Sequence, residues 1–154
     1  MRNYFITHKR SLFLTTFFCL SEFYFIDANA ACTINTSVGR SSTLTLSAGD
    51  TCISNTSPGT IVVTGGSDGI SNAFGSSITS LSNSGDVSAA ATAIVNGGGG
   101  ANIGTLSNSG NIISTGYIAV DLYTSTITNF NNSGLIRSDA ASGIVNRGNI
   151  TNLN

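Results

Sequence analysis

The sequence predicts an all-β fold, a parallel β-solenoid with coils of about 24 residues. The tripeptide Asn-Ser-Gly begins at Asn83, Asn108 and Asn132, which are almost evenly spaced along the chain. An apolar residue stands two positions before each of these asparagines, and an isoleucine stands five positions before. After the first thirty residues no segment has a sustained helical period, and β-branched residues dominate. Repetition at this period favours stacked strands.

The asparagines of the repeat are predicted to form a ladder in the core. Residues two apart on a strand point to the same side, so Leu81 and Asn83 should both face inward. Asn108 and Asn132 hold the same place in the next two repeats. Stacked coils lie about 4.8 Å apart, which lets each amide bond to its copy in the neighbouring coil.

The glycines of the tripeptide are predicted to form a corner. Gly85, Gly110 and Gly134 each follow the ladder asparagine by two positions. We expect a backbone position open to positive φ at each of them, because glycine adopts that conformation without strain.

A second set of matched positions supports the same architecture. Its apolar members recur at nearly the same interval as the tripeptide, and three of them are followed two positions later by asparagine. The apolar members are Ile70, Ile94, Val120 and Ile144, and the asparagines are Asn72, Asn96 and Asn146. The chain length from this set to the next Asn-Ser-Gly unit varies, which predicts loops of different length at one corner of the solenoid.

The first thirty residues are typical of a secretory signal. Arg2, His8, Lys9 and Arg10 form a basic segment, 11–20 is apolar, and Ala28-Asn29-Ala30 is a cleavage site with small flanking residues. Cleavage after Ala30 would remove the only His, Lys, Glu and Met of the chain. The remaining part would hold three Arg and five Asp, a net charge of −2, and no basic surface for nucleic acid.

Residues 31–56 are predicted to form an N-terminal cap, followed by solenoid repeats over 57–154. Cys32 and Cys52 would be the only cysteines after cleavage. In an exported chain they favour one disulfide, worth about 3 kcal/mol by loop entropy, with free or lipidated thiols as the alternative. The last residues match an earlier repeat up to Asn131, so we expect a solenoid truncated within a strand that self-associates through its uncovered last coil.

Residues that could carry catalysis are few. Gly65-Gly66-Ser67-Asp68-Gly69 matches the Gly-x-Ser-x-Gly pattern of hydrolases, but no His remains to activate the serine, so a turn between coils is the better interpretation. Asp86 and Asp121 are interpreted as solvated turn residues, and Arg137 and Arg147 as part of a polar surface. The glycine-rich 97–102 lacks the aspartate of a calcium-binding repeat. We therefore expect no enzyme activity, no metal and no cofactor.

Aromatic residues offer the one candidate contact patch. Tyr117 and Tyr123 both stand three positions from Val120, so on a regular strand they would face away from it, toward solvent. Phe74 is a further candidate for contact with sugars or protein, whereas Phe130 replaces leucine in the repeat and should be buried.

A signal, a cysteine-bearing cap and repeats such as Ile103-Gly-Thr-Leu-Ser-Asn-Ser-Gly-Asn-Ile112 together resemble the passenger region of bacterial autotransporters. The resemblance covers about residues 31–154. It implies a right-handed parallel β-helix displayed on the cell surface or released outside the cell, commonly as an adhesin. An outer-membrane β-barrel in the intact parent would export it; without that barrel, the chain would be expected to stop in the periplasm.

From this resemblance we expect a non-enzymatic passenger whose partners are a surface protein or glycan of a host or neighbouring cell, or a second copy of itself. Two alternatives stay open. One is a β-helix enzyme acting on polysaccharide, which a carboxylate pair or an Arg-Asp cluster on an outer face would favour. The other is an exoprotein of a two-partner secretion system, which would lack a barrel of its own.

Overall fold

The computed structural model describes residues 34–36, 39–46 and 51–154. The predicted signal and Cys32 lie outside these residues, so the cleavage site and the pairing of Cys32 with Cys52 stay predictions. The described part is all-β, with fifteen strands and no helix. The strands are β1 (Ile34–Thr36), β2 (Leu44–Leu46), β3 (Cys52–Asn55), β4 (Thr60–Val63), β5 (Ile70–Asn72), β6 (Ser77–Asn83), β7 (Asp86–Ala89), β8 (Ile94–Asn96), β9 (Asn102–Asn108), β10 (Asn111–Ser114), β11 (Val120–Leu122), β12 (Thr126–Asn132), β13 (Leu135–Ser138), β14 (Ile144–Asn146) and β15 (Asn149–Leu153).

The strands form three parallel sheets. Sheet A contains β1, β3, β6, β9, β12 and β15; sheet B contains β4, β7, β10 and β13; sheet C contains β2, β5, β8, β11 and β14. From β3 onward the chain visits sheets A, B and C in turn, and each new strand pairs in parallel with the strand one coil earlier. Asn83 pairs with Asn108 and Asn108 with Asn132, so the sequence distance between paired asparagines is the length of one coil. The predicted parallel β-solenoid is confirmed.

The interior is filled by the apolar positions of the repeat. Leu81, Leu106 and Phe130 occupy one column of sheet A, and all three are completely buried. Equivalent columns run through sheets B and C, where Val87 pairs with Ile112 and Ile70 with Ile94. Because successive coils place apolar residues at these positions, the coils bury a continuous core that none could bury alone.

The corners differ in length as the sequence predicts. Only a Ser-Gly pair connects sheet A to sheet B in each of the three Asn-Ser-Gly repeats. The corner from sheet C to sheet A takes four residues after β5, five after β8, three after β11 and two after β14. The short corner is therefore fixed by the repeat, while the corner from sheet C to sheet A accommodates insertions.

The segment predicted as a cap contributes to the stack. β1 pairs with β3, Arg40 forms a bridge with Ile61 of sheet B, and β2 pairs with β5. Leu44 and Leu46 face the core, in the columns of Ile70 and Asn72. Their alternation with threonine gives this segment the pattern of an inner strand, so the coils begin before residue 57 and include part of the predicted cap.

The last described coil has less cover over its core positions. Ile136 and Ile150 are partly buried, Ile144 is 40% exposed and Leu153 is 66% exposed. β13, β14 and β15 each lie at one edge of their sheet. This end of the described stack therefore carries apolar side chains beside three strand edges.

Candidate functional site

A hydrogen-bonded ladder of asparagine amides lies beneath the corner between sheets A and B. Nδ2 of Asn83 donates to Oδ1 of Asn108 at 2.7 Å, and Nδ2 of Asn108 donates to Oδ1 of Asn132 at 2.8 Å. Asn55 adds an earlier rung, because its Nδ2 donates to Oδ1 of Asn83 at 2.7 Å. Asn55 and Asn83 are 1% exposed. The predicted ladder is confirmed, with one more member.

Asn55 was not predicted as a ladder residue because the tripeptide is lost there. Residues 55–59 read Asn-Thr-Ser-Pro-Gly, which lengthens the corner. The strand before it carries the signal: Ile53-Ser54-Asn55 repeats Leu81-Ser82-Asn83, and the structure pairs the two segments in this register.

Two ladder amides also fix the corner between sheets A and B in the next coil. The Nδ2 group of Asn55 donates a second hydrogen bond to the carbonyl of Asp86 at 3.2 Å, and Asn83 donates to the carbonyl of Asn111 at 3.2 Å. Both acceptors lie where the next coil enters sheet B. Sheet A and the beginning of sheet B are thus joined by side chains as well as by the backbone.

The prediction of positive φ at the glycines of the tripeptide is wrong. Among the described residues, the glycines with positive φ are Gly66, Gly75, Gly99 and Gly100. Gly85, Gly110 and Gly134 are required for a steric reason instead. A Cβ at Gly110 would collide with the carbonyl oxygen of Gly85, and a Cβ at Gly134 would collide with that of Gly110. The Cβ direction points at the preceding coil, so only glycine permits the stacking distance.

A second, shorter ladder lies inside sheet C. Nδ2 of Asn72 donates to Oδ1 of Asn96 at 2.8 Å. Leu46 occupies this column one coil earlier and Leu122 one coil later. Oδ1 of Asn72 therefore has no hydrogen-bond partner among the described residues, and Asn96 donates to the carbonyl of Thr126 instead. The predicted asparagine positions are confirmed, but leucine keeps Asn146 from joining this ladder.

The outer side of sheet A is polar and uncharged. β3, β6, β9, β12 and β15 contain no Asp, Glu, Lys or Arg. We define the polar face by its outward side chains: Thr79, Ser80, Ser82, Thr105, Ser107, Thr128, Asn129, Asn131, Thr151, Asn152 and Asn154. Asn152 donates to Asn129 at 2.9 Å and Asn154 to Asn131 at 3.0 Å, so amides also bond along the outer columns.

A groove runs along the edge of the polar face, at the corner with sheet B. It has a volume of about 290 Å³. Its lining consists of Ser82, Ser107, Asn108, Ser109, Asn131, Asn132, Ser133 and Asn154. Every lining side chain ends in a hydroxyl or an amide and none is charged, so the groove has no charge of its own to attract an ionic partner.

Asp121 is buried in an ion pair, so its interpretation as a solvated turn residue is wrong. It lies in the middle of β11 and is completely buried. Nη2 of Arg147 donates to both carboxylate oxygens at 2.6 Å. The Arg147 guanidinium also lies 4.3 Å from the centre of the Tyr123 ring. Asp121 points outward between two core residues, and the arginine of the next coil covers it.

Tyr117 and Tyr123 are both exposed, but they belong to different corners. Tyr117 follows β10 at the corner from sheet B to sheet C, and Tyr123 follows β11 at the corner from sheet C to sheet A. β11 is only three residues long. The alternation of inward and outward residues around Val120 therefore ends with β11, and corner positions account for the exposure of both rings.

The remaining candidates for chemistry lie in structural positions. Gly65-Gly66-Ser67-Asp68-Gly69 connects β4 to β5, as the turn interpretation predicts, and Asp68 accepts a backbone hydrogen bond from Thr92 at 3.1 Å. Asp86 is exposed at the start of β7. In the part of the chain that the structure describes, no three or more His, Cys, Asp or Glu residues are grouped to hold a metal ion. The same part contains no helix of the length and hydropathy of a membrane span.

Comparisons of the chain with models of protein families, with curated proteins and with solved structures found no match.

Proposed function

We propose that this chain is an exported, non-enzymatic binding protein, an adhesin-like passenger of the autotransporter type, and that the polar face is its binding surface. The supporting observation is the uncharged array of hydroxyls and amides over the strands of sheet A. The resemblance of the repeats to autotransporter passengers supports the cell surface or the extracellular space as its location.

Physical chemistry supports a contact role for such a surface. The ladder amides and the glycine contacts hold the outer columns in fixed register, so a partner would meet an array whose backbone is already ordered. An uncharged array has no long-range attraction for nucleic acid or for anionic lipid. Its partners would be neutral and rich in hydrogen-bonding groups: a surface glycan, a polar protein surface or a second copy of the chain.

The test is adhesion of the purified chain to cells and to immobilised glycans, with and without charge on the polar face. Ser107→Lys combined with Asn131→Lys places two ammonium groups on adjacent strands of that face. The matched control is Ser88→Lys on the outer side of sheet B. We expect the double variant to lose at least 10-fold in binding and the control to keep it. Equal binding by all three proteins would contradict the proposal.

One observation favours a second candidate, a β-helix enzyme acting on polysaccharide. The Asp121–Arg147 pair is an Arg-Asp cluster on the outer side of sheet C. However, both carboxylate oxygens already accept hydrogen bonds from Arg147, and the Asp121 side chain is 1% exposed. Release of sugar ends from polysaccharide by the chain, abolished by Asp121→Asn, would favour the enzyme over the adhesin.

Export is proposed on the signal at residues 1–30 and has its own test. Expression with the signal should give a mature chain that begins at Ala31, found by N-terminal sequencing of the exported protein. A chain that keeps its first thirty residues and stays inside the cell would contradict export.

A further inference from the structure

The corner from sheet C to sheet A carries an exposed aromatic ring on a glycine shelf. Phe74 follows β5 and is 79% exposed. Gly98 and Gly99, one coil later, lie under the ring: a Cβ at Gly99 would collide with Cδ1, Cε1 and Cζ, and one at Gly98 would come 3.6 Å from Cε2. A side chain at Gly99 would therefore take the space of the ring, and the absence of side chains at both glycines leaves room for it. With 79% exposure, the ring keeps most of its surface in solvent.

The next two coils extend this surface. Thr124 lies beside the shelf, since its Oγ1 would be 3.2 Å from a Cβ at Gly98. Tyr123, its neighbour in sequence, is 44% exposed. Arg147, at the same corner one coil further on, lies against the Tyr123 ring. We name this surface, formed by Phe74, Gly98, Gly99, Tyr123 and Arg147, the aromatic corner.

The guanidinium at the end of the aromatic corner is both fixed and available. Only Nη2 of Arg147 is used by Asp121, and Nε and Nη1 have no hydrogen-bond acceptor among the described residues. The Arg147 side chain is 44% exposed. The remaining N–H donors are therefore held beside the Tyr123 ring, while the Asp121 carboxylate compensates the positive charge.

We propose that the aromatic corner binds a neutral glycan chain that runs along the stack of coils. The exposed face of Phe74 would carry one sugar ring through C–H contacts with the aromatic face, and Tyr123 would carry another. The free N–H donors of Arg147 would bind sugar hydroxyls. This inference rests on the proposed binding function and gives it a second, separate site with a stated ligand class.

The geometry favours a sugar over a peptide. A peptide anchor residue needs a concave apolar pocket that removes it from water. Phe74 is 79% exposed, so it forms no part of such a pocket. Exposed aromatic rings next to fixed donors match the apolar faces and hydroxyl rims of a sugar chain. The compensated charge of Arg147 favours a neutral glycan over a uronate polymer.

The experiment is affinity electrophoresis of the purified chain in native gels that contain laminarin, hydroxyethyl cellulose, galactomannan or polygalacturonate. We expect retardation in at least one neutral glycan. Phe74→Ala and the double variant Phe74→Ala/Tyr123→Ala should weaken binding at least 10-fold, whereas Phe74→Tyr should keep it. Phe74 is almost fully exposed, so its removal should leave the fold intact, which circular dichroism would check. Tyr117→Ala, at the other corner, is the matched control.

The outcomes separate this inference from the proposed function. No retardation in any neutral glycan, retardation by polygalacturonate alone, or full binding by Phe74→Ala/Tyr123→Ala would overturn the inference. If that double variant lost adhesion to a protein-coated surface while the native chain bound no glycan, the ligand would be protein and the inference would again fail. Loss of cell adhesion in the Ser107→Lys/Asn131→Lys variant, with glycan binding unchanged at the aromatic corner, would support both sites.

Discussion

Nδ2 of Asn83 donates a 2.7 Å hydrogen bond to Oδ1 of Asn108 in the next coil, inside the protein. All four amide-to-amide bonds of the two ladders run in this direction, from the earlier coil to the later one. Aligned amides polarise one another, so each bond strengthens its neighbours. The ladder therefore fixes both the register of the coils and the position of the polar face above it.

Breaking the ladder in its middle should be costly. Asn108→Ala removes the acceptor of one N–H of the buried Asn83 amide, whose other N–H keeps the carbonyl of Asn111, and it removes the donor to Oδ1 of the exposed Asn132. We expect a loss of about 1–3 kcal/mol in the free energy of unfolding, from one buried N–H left unpaired. Denaturant unfolding measures it. Asn131→Ala, on the outer side of the same sheet, is the control and should change stability by less than about 1 kcal/mol. Equal losses would mean that the ladder does not stabilise the core.

Leu122 interrupts the second ladder. Replacing it with asparagine would add a rung and so test whether paired amides stabilise this column. Leu122→Asn would place an amide between Asn96 and Asn146, with a partner on each side. Leu106→Asn, at an equally buried position among apolar neighbours, has no such partners. Both variants lose apolar burial, but we expect the Leu106 variant to be less stable by about 2 kcal/mol, the net value of two hydrogen bonds. Thermal and denaturant unfolding would compare them. A more stable Leu106 variant would argue against amide pairing in this column.

The glycines at the corner should tolerate no side chain. Gly110→Ala would drive a methyl group into the carbonyl oxygen of Gly85, and relief requires that the coils separate. We expect a loss of about 3 kcal/mol or more in unfolding free energy. Gly65→Ala is the matched control, because nothing lies within 4 Å of its added Cβ and its φ is not positive. That control should be neutral or stabilising by about 0.5 kcal/mol. Normal stability of Gly110→Ala would contradict the close approach.

The two ion pairs near the end of the described chain should differ in value. Arg147→Ala removes the partner of a buried carboxylate and the cover of Tyr123, so we expect a loss of about 1.5–3 kcal/mol. The pair of Arg137 with Asp139 has side chains 54% and 45% exposed. Arg137→Ala should therefore cost less than about 1 kcal/mol. Urea unfolding would compare the stability of the two variants. Equal losses would show that the ion pair with buried Asp121 stabilises the fold no more than the exposed pair does.

The fold was predictable because each copy of the repeat implies the same strand pairing with the copy before it. Ile78, Ile103 and Ile127 lie in one column, as their spacing in the sequence implies. Asn-Ser-Gly predicted the ladder because asparagine two positions from a core leucine must also point inward. These features are local and periodic, so one sequence carries them.

The features that were missed depend on contacts between coils. The reason for glycine at position 110 is the carbonyl of Gly85, one coil earlier in the chain. Asp121 pairs with Arg147, one coil later, on a corner of variable length. The glycines beside Phe74 also belong to the next coil, so their contact with the ring could not be predicted from the repeat. The spacing of the repeat in the sequence predicts which strands pair. It does not predict which side chains at the corners are in contact between coils.

The most direct test of the stacked register is disulfide cross-linking on the polar face. Ser82 and Ser107 are paired on adjacent strands, about 4.8 Å apart, which is within reach of a disulfide. Ser82 and Asn131 are two strands apart, at about 9.6 Å, which is beyond that reach. Peptide mapping by mass spectrometry should find a cross-link in Ser82→Cys/Ser107→Cys and none in Ser82→Cys/Asn131→Cys. A cross-link in the second variant but not in the first would contradict the stacking of each coil directly on the one before it.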